Sequence, residues 1–344
     1  VRKKATIQDV ADLAGVSKAT VSKFINNTPY VSQKTKKKIE EAIKTLQFQP
    51  NSVARGLVKK STKLIGLVVS NYESMLNMEL IKAVEAEAAK YQFSVVLFST
   101  NDEERHEREL PEVLVNKYEH LDGIILANVR KEGVELDKFK QTFQHIVLLH
   151  RHIPNSAFDY VVIDGYQGGR IAAEHLVSLG HKKMAMITGP REIYQFQERI
   201  RGFNDVLQEN GLHQDFLVVR SGQTVEEGLT AAKKVLIRPN APTAIFASTD
   251  VMALGVLEAA RDVGLNVPCD LSVIGFDNIY FSKFAAVPLT TIDARMRDLG
   301  EMAVRLLIER LEGRTKEGVR KIELSPNLVK RESCKERKHP IQRS

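Results

Sequence analysis

From residue 64 onward the chain alternates short apolar runs with longer helical stretches, and this rhythm constrains the fold more than any other feature. Apolar runs fall at 64–69, 94–98, 123–126, 145–149, 160–163, 184–188, 216–219, 243–247 and 271–276, and helical periods at 78–91, 168–179, 198–210 and 252–263 lie between them. Near-continuous apolar runs suit strands buried on both faces, and their alternation with helices is the pattern of parallel sheets. About ten strand–helix units are more than one sheet holds. The expectation is two doubly wound lobes with a ligand between them, outside the carboxyl ends of the strands. No apolar run approaches the ~18 residues of a membrane span, so no membrane anchor is expected. A chain of 344 residues, 43% of them hydrophobic, has the make-up of a globular protein with room for two or three packed units.

Residues 1–63 follow another pattern. They carry 14 Lys and Arg against 4 Asp and Glu, whereas the rest of the chain carries 36 against 39, so the formal net charge of +7 is the difference between unlike parts. A block this basic suits a polyanion such as nucleic acid, though charge alone equally fits a solvated face. Its helical periods are short. Ile7, Val10, Ala11 and Ala14 share one face behind a capping Thr6, and Gly15 ends that helix. Val16 plugs the turn, Ser17 caps a second helix with Val21, Phe24 and Ile25 inward, and Ser32 caps a third with Ile39, Ala42, Ile43 and Leu46 inward. The layout is a helix-turn-helix, whose second helix turns Lys18, Ala19, Ser22 and Lys23 outward, side chains suited to base edges and phosphates in a major groove.

Enzymatic signatures are missing. The glycine-rich stretch 164–169 follows a strand, but its spacing is not that of a dinucleotide fingerprint, and there is no P-loop, zinc spacing or nucleophile elbow. His150 and His152 flank Arg151 with no adjacent nucleophile, and Cys269 and Cys334 fit neither a disulfide framework nor metal ligation. No cofactor and no metal are expected. With no apolar secretory core after Val1-Arg2-Lys3-Lys4, a reducing cytoplasm is the expected location.

The run Ala5-Thr6-Ile7-Gln8-Asp9-Val10-Ala11-Asp12-Leu13-Ala14-Gly15-Val16-Ser17-Lys18-Ala19-Thr20-Val21-Ser22 resembles the head of the lac repressor/galactose repressor family of bacterial transcriptional regulators. Pro50-Asn51-Ser52-Val53-Ala54-Arg55-Gly56-Leu57 is similar to that family's hinge helix. Gly189-Pro190, Arg199, Gly202-Phe203, 248–255, 272–278, 289–292 and 328–333 look like its effector-binding core, itself similar to periplasmic sugar-binding proteins. The resemblance implies an all-α helix-turn-helix head (1–50), a hinge helix and linker (51–63), an α/β effector-binding and dimerisation body (64–335) and a charged tail (336–344). In the body it implies an N-lobe of about 64–164 plus 293–325 and a C-lobe of about 165–292 plus 326–335. It also implies a homodimer on a double-stranded DNA operator.

Site residues follow from the same resemblance. Lys18, Ala19 and Lys23 match operator-reading positions, although Lys23 lacks the bidentate fork of an arginine and Ala19 offers only methyl contact. Thr6, Ser17, Thr20, Ser22 and Asn26 match phosphate or positioning contacts, Asn51 belongs to the hinge motif, Ala54 and Arg55 match groove-lining residues, and Leu57 matches a leucine that wedges into the minor groove. Arg199 and Asp277 match positions that hold sugar hydroxyls, and Thr249 stands where an amide often reads the ligand. Tyr72, Tyr194 and Phe196 are candidates for stacking on a sugar ring, and Met75, Leu76 and Met78 open a helix that approaches the dimer partner in relatives. His150 replaces the aspartate common at the end of its strand, just before Arg151. Imidazole beside guanidinium favours an anion, so a sugar acid such as 2-keto-3-deoxygluconate is the expected effector. A neutral sugar with His150 in packing, a nucleobase or a phosphoprotein corepressor are the alternatives within the family. A sugar receptor without a DNA role is the distant one.

Overall fold

The computed structural model describes residues 5–25, 31–48, 61–128, 139–140, 142–151, 157–314 and 318–337. The chain divides into two compact units, Val1–Lys63 and Leu64–Ser344.

The first unit packs α1 (Ile7–Ala14), α2 (Lys18–Ile25) and α3 (Gln33–Leu46) around a small core of Val10, Ala11, Ala14, Val21, Val31, Ile39 and Ala42. Thr6 and Asp9 form a reciprocal capping box at the start of α1: Thr6 N donates to Asp9 Oδ2 at 2.7 Å, and Asp9 N donates to Thr6 Oγ1 at 3.3 Å. Gly15 then adopts a φ of 62°, a left-handed conformation that costs a glycine little, and its N–H closes the helix end. Thr20 N donates to Ser17 Oγ at 3.1 Å and Thr35 N to Ser32 Oγ at 3.3 Å, so both serines cap as their positions suggest.

The second unit holds two six-stranded sheets. One runs β11 (Lys321–Leu324), β5 (Asp159–Ile163), β4 (Ile146–Leu149), β3 (Gly123–Ala127), β1 (Leu64–Val69), β2 (Ser94–Ser99), with every pairing parallel. The other runs β12 (Asn327–Val329), β10 (Thr290–Asp293), β9 (Ser272–Asp277), β8 (Ala244–Ala247), β6 (Met184–Thr188), β7 (Leu217–Arg220), parallel except where β12 pairs antiparallel with β10. β1, β3, β4, β5, β6, β8 and β9 are buried along almost their whole length, which is why they read as unbroken apolar runs. Helices α4 (Met75–Lys90) and α5 (Glu104–Tyr118) belong to the first lobe; α6 (Gly165–Ser178), α7 (Tyr194–Glu209), α8 (Val225–Leu236) and α9 (Asp250–Asp262) belong to the second. The chain passes between lobes three times: from β5 into α6, from β10 into α10 (Met296–Leu311), which packs back on α4, and from β11 into β12. Helices α5, α8 and α10 are absent from the helical periods read in the sequence. Pro111, a residue that ordinarily ends a helix, lies inside the continuous α5, and α8 announces itself mainly through the capping box of Thr224 and Glu227.

The glycine-rich stretch at 164–169 serves packing. A Cβ on Gly169 would stand 2.1 Å from the Arg199 carbonyl oxygen, and one on Gly202 would stand 2.0 Å from that of Tyr166. Helices α6 and α7 therefore cross backbone against backbone, which fixes where α7 delivers its side chains. Among the described residues no helix is long and apolar enough to cross a membrane, and no group of three or more His, Cys, Asp or Glu is placed to hold a metal ion.

Candidate nucleic-acid interface and ligand cleft

The head presents its candidate contacts on the surface. Lys18 and Ala19 form the first turn of α2 and are exposed, as is Lys23 one turn later; Ser22 is half-buried beside it. The amino end of α2 carries the positive end of the helix dipole, so main chain and lysines offer the same sign to a phosphate. The hydroxyls of Ser17 and Thr20 lie 2.8 Å apart, and that of Thr6 donates to Asp9, so these three side chains hold the helix starts as well as facing solvent. Lys34, Lys37 and Lys38 on α3 extend the basic surface. Asn26, Asn51, Ala54, Arg55 and Leu57 lie outside the described residues.

The body carries a site of the opposite kind, buried between the two lobes at the carboxyl ends of their strands. Asp277 ends β9, His150 follows β4, and Arg199 lies one turn into α7. All three are at least nine-tenths buried. The Arg199 guanidinium lies over the ring of Phe276, 3.5 Å from carbon to centroid, and 5.5 Å from that of Phe196. One of its terminal nitrogens donates to the Ser248 carbonyl; the other stands 4.0 Å from Asp277 Oδ1, at the limit of an ion pair. Asp277 has a φ of 112° and Asn278 one of 60°. This strained turn is held from outside by Ile279 N donating to Asp250 Oδ2 at 2.9 Å and by Arg331 donating to Asn278 Oδ1 at 2.6 Å.

Among the described residues, six buried side-chain atoms of the cleft walls lack a hydrogen-bond partner within the protein: His150 Nε2, Thr188 Oγ1, Gln195 Oε1, Arg199 Nε, Ser248 Oγ and Asp277 Oδ1. Orphaned polar atoms are rare in folded interiors because each forfeits its desolvation cost, so a convergence of six marks a place completed by something else. The two lobes also touch here directly, Gln195 Nε2 donating to the His150 carbonyl at 3.1 Å.

Burial governs the charge state of the cleft. It pushes Asp277 up to about 7, with Arg199 alone pulling the other way. It holds Asp250 well above the usual carboxylate range, reinforced by Asp277, and lowers Arg199 to about 10, which leaves it cationic at neutral pH. His150 falls to about 3 through burial and then the neighbouring Arg199 and Arg151, so the imidazole is neutral. Positive charge offered to a ligand here comes from Arg199, not from His150.

The structure thus brings His150, Arg199 and Asp277 to one place, with the half-buried Arg151 at its edge. Thr249 stands next to this wall, but its hydroxyl accepts from Met252 N at 3.1 Å as the cap of α9; the neighbouring Ser248 presents the unpartnered hydroxyl. Tyr194, 39% exposed, lines a separate groove of about 280 Å³ with Asp164, Tyr166, Glu198, Arg201 and Glu323. Tyr72 is 46% exposed, and no described contact links it to His150, Arg199 or Asp277. Sequence reasoning missed Thr188, Gln195 and Ser248. Thr188 and Ser248 end or follow strands β6 and β8, where a ligand was expected, and position relative to the strand ends would have found them.

Comparison with known proteins matches residues 6–51 to "Bacterial regulatory proteins, lacI family" and residues 173–334 to "Periplasmic binding protein-like domain". The HTH-type transcriptional repressor PurR of Mannheimia succiniciproducens is 37% identical over 96% of this chain and 99% of its own length. HTH-type transcriptional regulator DegA of Bacillus subtilis is 38% identical over 96% and 98%. Catabolite control protein A of Priestia megaterium is 36% identical over 90% and 93%. Among solved structures, the lac repressor dimer bound to operator and an anti-inducer superposes with a TM-score of 0.86 at 28% identity, covering 97% of this chain and all of that one. A transcriptional regulator CelR–cellobiose complex superposes with a TM-score of 0.71 at 29% identity, covering 96% and 99%. Sequence, two-unit architecture and near full-length coverage agree: the chain belongs to the LacI family of bacterial regulatory proteins.

Proposed function

We propose that this protein is a cytoplasmic, homodimeric repressor of a carbohydrate-utilisation operon, released from its operator by a small polyhydroxylated effector held between the lobes, a sugar acid such as 2-keto-3-deoxygluconate. The observation that carries the effector reading is the set of six unpartnered polar atoms around Arg199. Its acid character rests on charge: Arg199 is cationic, while its nearest carboxylate, Asp277, titrates near neutrality and stands 4.0 Å away, so the pair is incompletely neutralised. A ligand carboxylate supplies the missing charge in a water-excluded site. Relatives solved with cellobiose and with ribose support a sugar-like ligand for this fold.

On DNA, two heads related by a twofold axis read a pseudo-palindrome through Lys18, Ala19 and Lys23, with Thr6, Ser17, Thr20, Ser22 and Asn26 on phosphates. The hinge segment with Asn51, Ala54, Arg55 and Leu57 enters the central minor groove. Effector binding draws the lobes together and separates the hinges across the dimer, a coupling of typically ~1–3 kcal/mol. Met78 on α4 and the aromatic cluster of Tyr280, Phe281 and Phe284 are large exposed apolar side chains that a second copy would cover. Random-site selection with the purified protein, with and without D-glucose, D-gluconate, 2-keto-3-deoxygluconate and adenine, tests the reading. A palindromic site enriched alone and lost with a sugar acid supports it. No enriched site overturns the DNA role, and release by glucose or adenine alone overturns the acid effector.

A further inference from the structure

A chain of hydrogen bonds runs from a main-chain carbonyl in the first lobe to His150, and its polarity is fixed at the far end. Asn77 Nδ2 lies 2.8 Å from the Asn71 carbonyl oxygen and 3.2 Å from Ser70 Oγ. A carbonyl only accepts, so the Asn77 amide has one permitted orientation, with Oδ1 turned toward Asn128. Asn128 Nδ2 meets that oxygen at 2.6 Å. The reversed amide would place two acceptors together there, so Asn128 in turn directs Oδ1 at His150 Nδ1, 2.8 Å away. An oxygen at that distance requires the proton to sit on Nδ1. The imidazole is neutral, so Nε2 is bare. Gln195 repeats the logic: Nε2 donates to the His150 carbonyl, which leaves Oε1 as a second bare acceptor. His150 Nε2 and Gln195 Oε1 are both buried and unpartnered.

We propose that the Asn71 carbonyl, acting through Asn77 and Asn128, locks His150 as the Nδ1–H tautomer, making His150 Nε2 and Gln195 Oε1 a pair of obligate acceptors that admit ligand hydroxyls and reject a carboxylate. The inference rests on the effector reading and gives the ligand a direction: its hydroxyls meet His150 and Gln195, and any carboxylate goes to Arg199. His150 is then a specificity-determining residue, and Asn77 and Asn128 are positioning residues acting through it. The sequence expectation that His150 itself attracts an anion is replaced by one in which it repels it.

The test begins without a ligand. Full-length protein labelled with ¹⁵N-histidine, with His150 assigned by the signals missing from His150→Gln, reports by multiple-bond proton–nitrogen correlation which ring nitrogen bears the proton. The expected pattern is protonated Nδ1 and bare Nε2, unchanged between pH 5.5 and 8; protonated Nε2 or an imidazolium overturns the proposal. Asn128→Ala, which removes the acceptor at Nδ1, and Asn77→Ala, which frees the Asn128 amide to reverse, are each expected to raise the Nε2–H fraction; an unchanged tautomer in a folded variant overturns the relay. If one of the two fails to fold, the other and the wild-type spectrum still decide. D-glucose, D-gluconate and 2-keto-3-deoxygluconate are then added in turn. A sugar that binds must move the Nε2 resonance without protonating it, and His150→Leu must weaken its binding roughly tenfold to a hundredfold; a bound sugar that leaves Nε2 in place overturns the proposal. Binding by none of the three counts against the effector reading alone, because the ligand-free spectrum has already decided the tautomer.

Discussion

The head and the cleft use polar side chains in opposite ways. Lys18, Ala19 and Lys23 stand in solvent on one helix of a three-helix unit whose shared core holds seven buried apolar side chains. Arg199, Asp277 and His150 are buried among Phe276, Phe196 and two complete sheets, with atoms left unpartnered. Exposed charges contribute through counterion release and tolerate imprecise placement. Buried groups pay their desolvation in advance and recover it only from a ligand of complementary shape and polarity. Charge on the head therefore draws in any polyanion and leaves sequence choice to the few side chains that reach base edges, whereas selectivity in the cleft rests on what would otherwise stay unsatisfied.

Substitutions sharpen this contrast. Arg199→Met keeps an aliphatic stem between Phe196 and Phe276 but removes the buried charge; effector affinity measured by calorimetry is expected to fall roughly hundredfold, with operator affinity in the absence of effector unchanged. A parallel loss of operator binding would mean that Arg199 serves the fold instead of the ligand.

Asp277→Asn is expected to change the pH dependence of stability. Folded Asp277 keeps its proton up to about pH 7, while the unfolded chain releases it near the ordinary 3.8. Between those values the folded state binds more protons, so the Asp277 contribution is full below pH 4 and is lost as pH rises toward 7. The asparagine variant lacks that loss and should gain on the wild type across pH 4–7, by at most ~1.4 kcal/mol per pH unit in denaturant titrations. His150 works in the opposite sense: the unfolded imidazole takes up a proton near 6.5 and the folded one only near 3, so its contribution rises with pH over that range and partly masks Asp277 in the wild type. The smallest effect is expected in the head. Thr6→Ala removes half of the capping box and should cost ~1 kcal/mol, seen as earlier melting of the head with the body transition in place.

Much of this architecture is legible in the sequence, and for physical reasons. Strands buried on both faces have little choice but to be apolar, so β1, β3, β4, β5, β6, β8 and β9 stand out, and Thr6, Gly15, Ser17 and Ser32 mark helix ends because orphan backbone groups there demand a partner. Edge strand β7 is only half-buried, and its run is displaced by one residue, 216–219 in the sequence against Leu217–Arg220 in the fold. In the cleft, Arg199 and Asp277 are legible only through their match to positions of the family, since no local pattern in the sequence marks a charged residue as buried. Nothing local marks Ser248, Thr188 and Gln195 either, and their importance arises from strands and helices distant in sequence meeting. Nor does a sequence show which nitrogen of His150 carries the proton; that depends on a carbonyl three groups away.

The most direct measurement is the salt dependence of both affinities on one preparation of the protein. Operator binding by fluorescence anisotropy and effector binding by calorimetry would be followed from 50 to 200 mM salt. If exposed lysines drive the first and buried polar atoms the second, operator affinity falls by roughly 10³-fold while effector affinity changes by less than about twofold. Equal slopes for the two ligands, or an operator affinity insensitive to salt, would contradict the account.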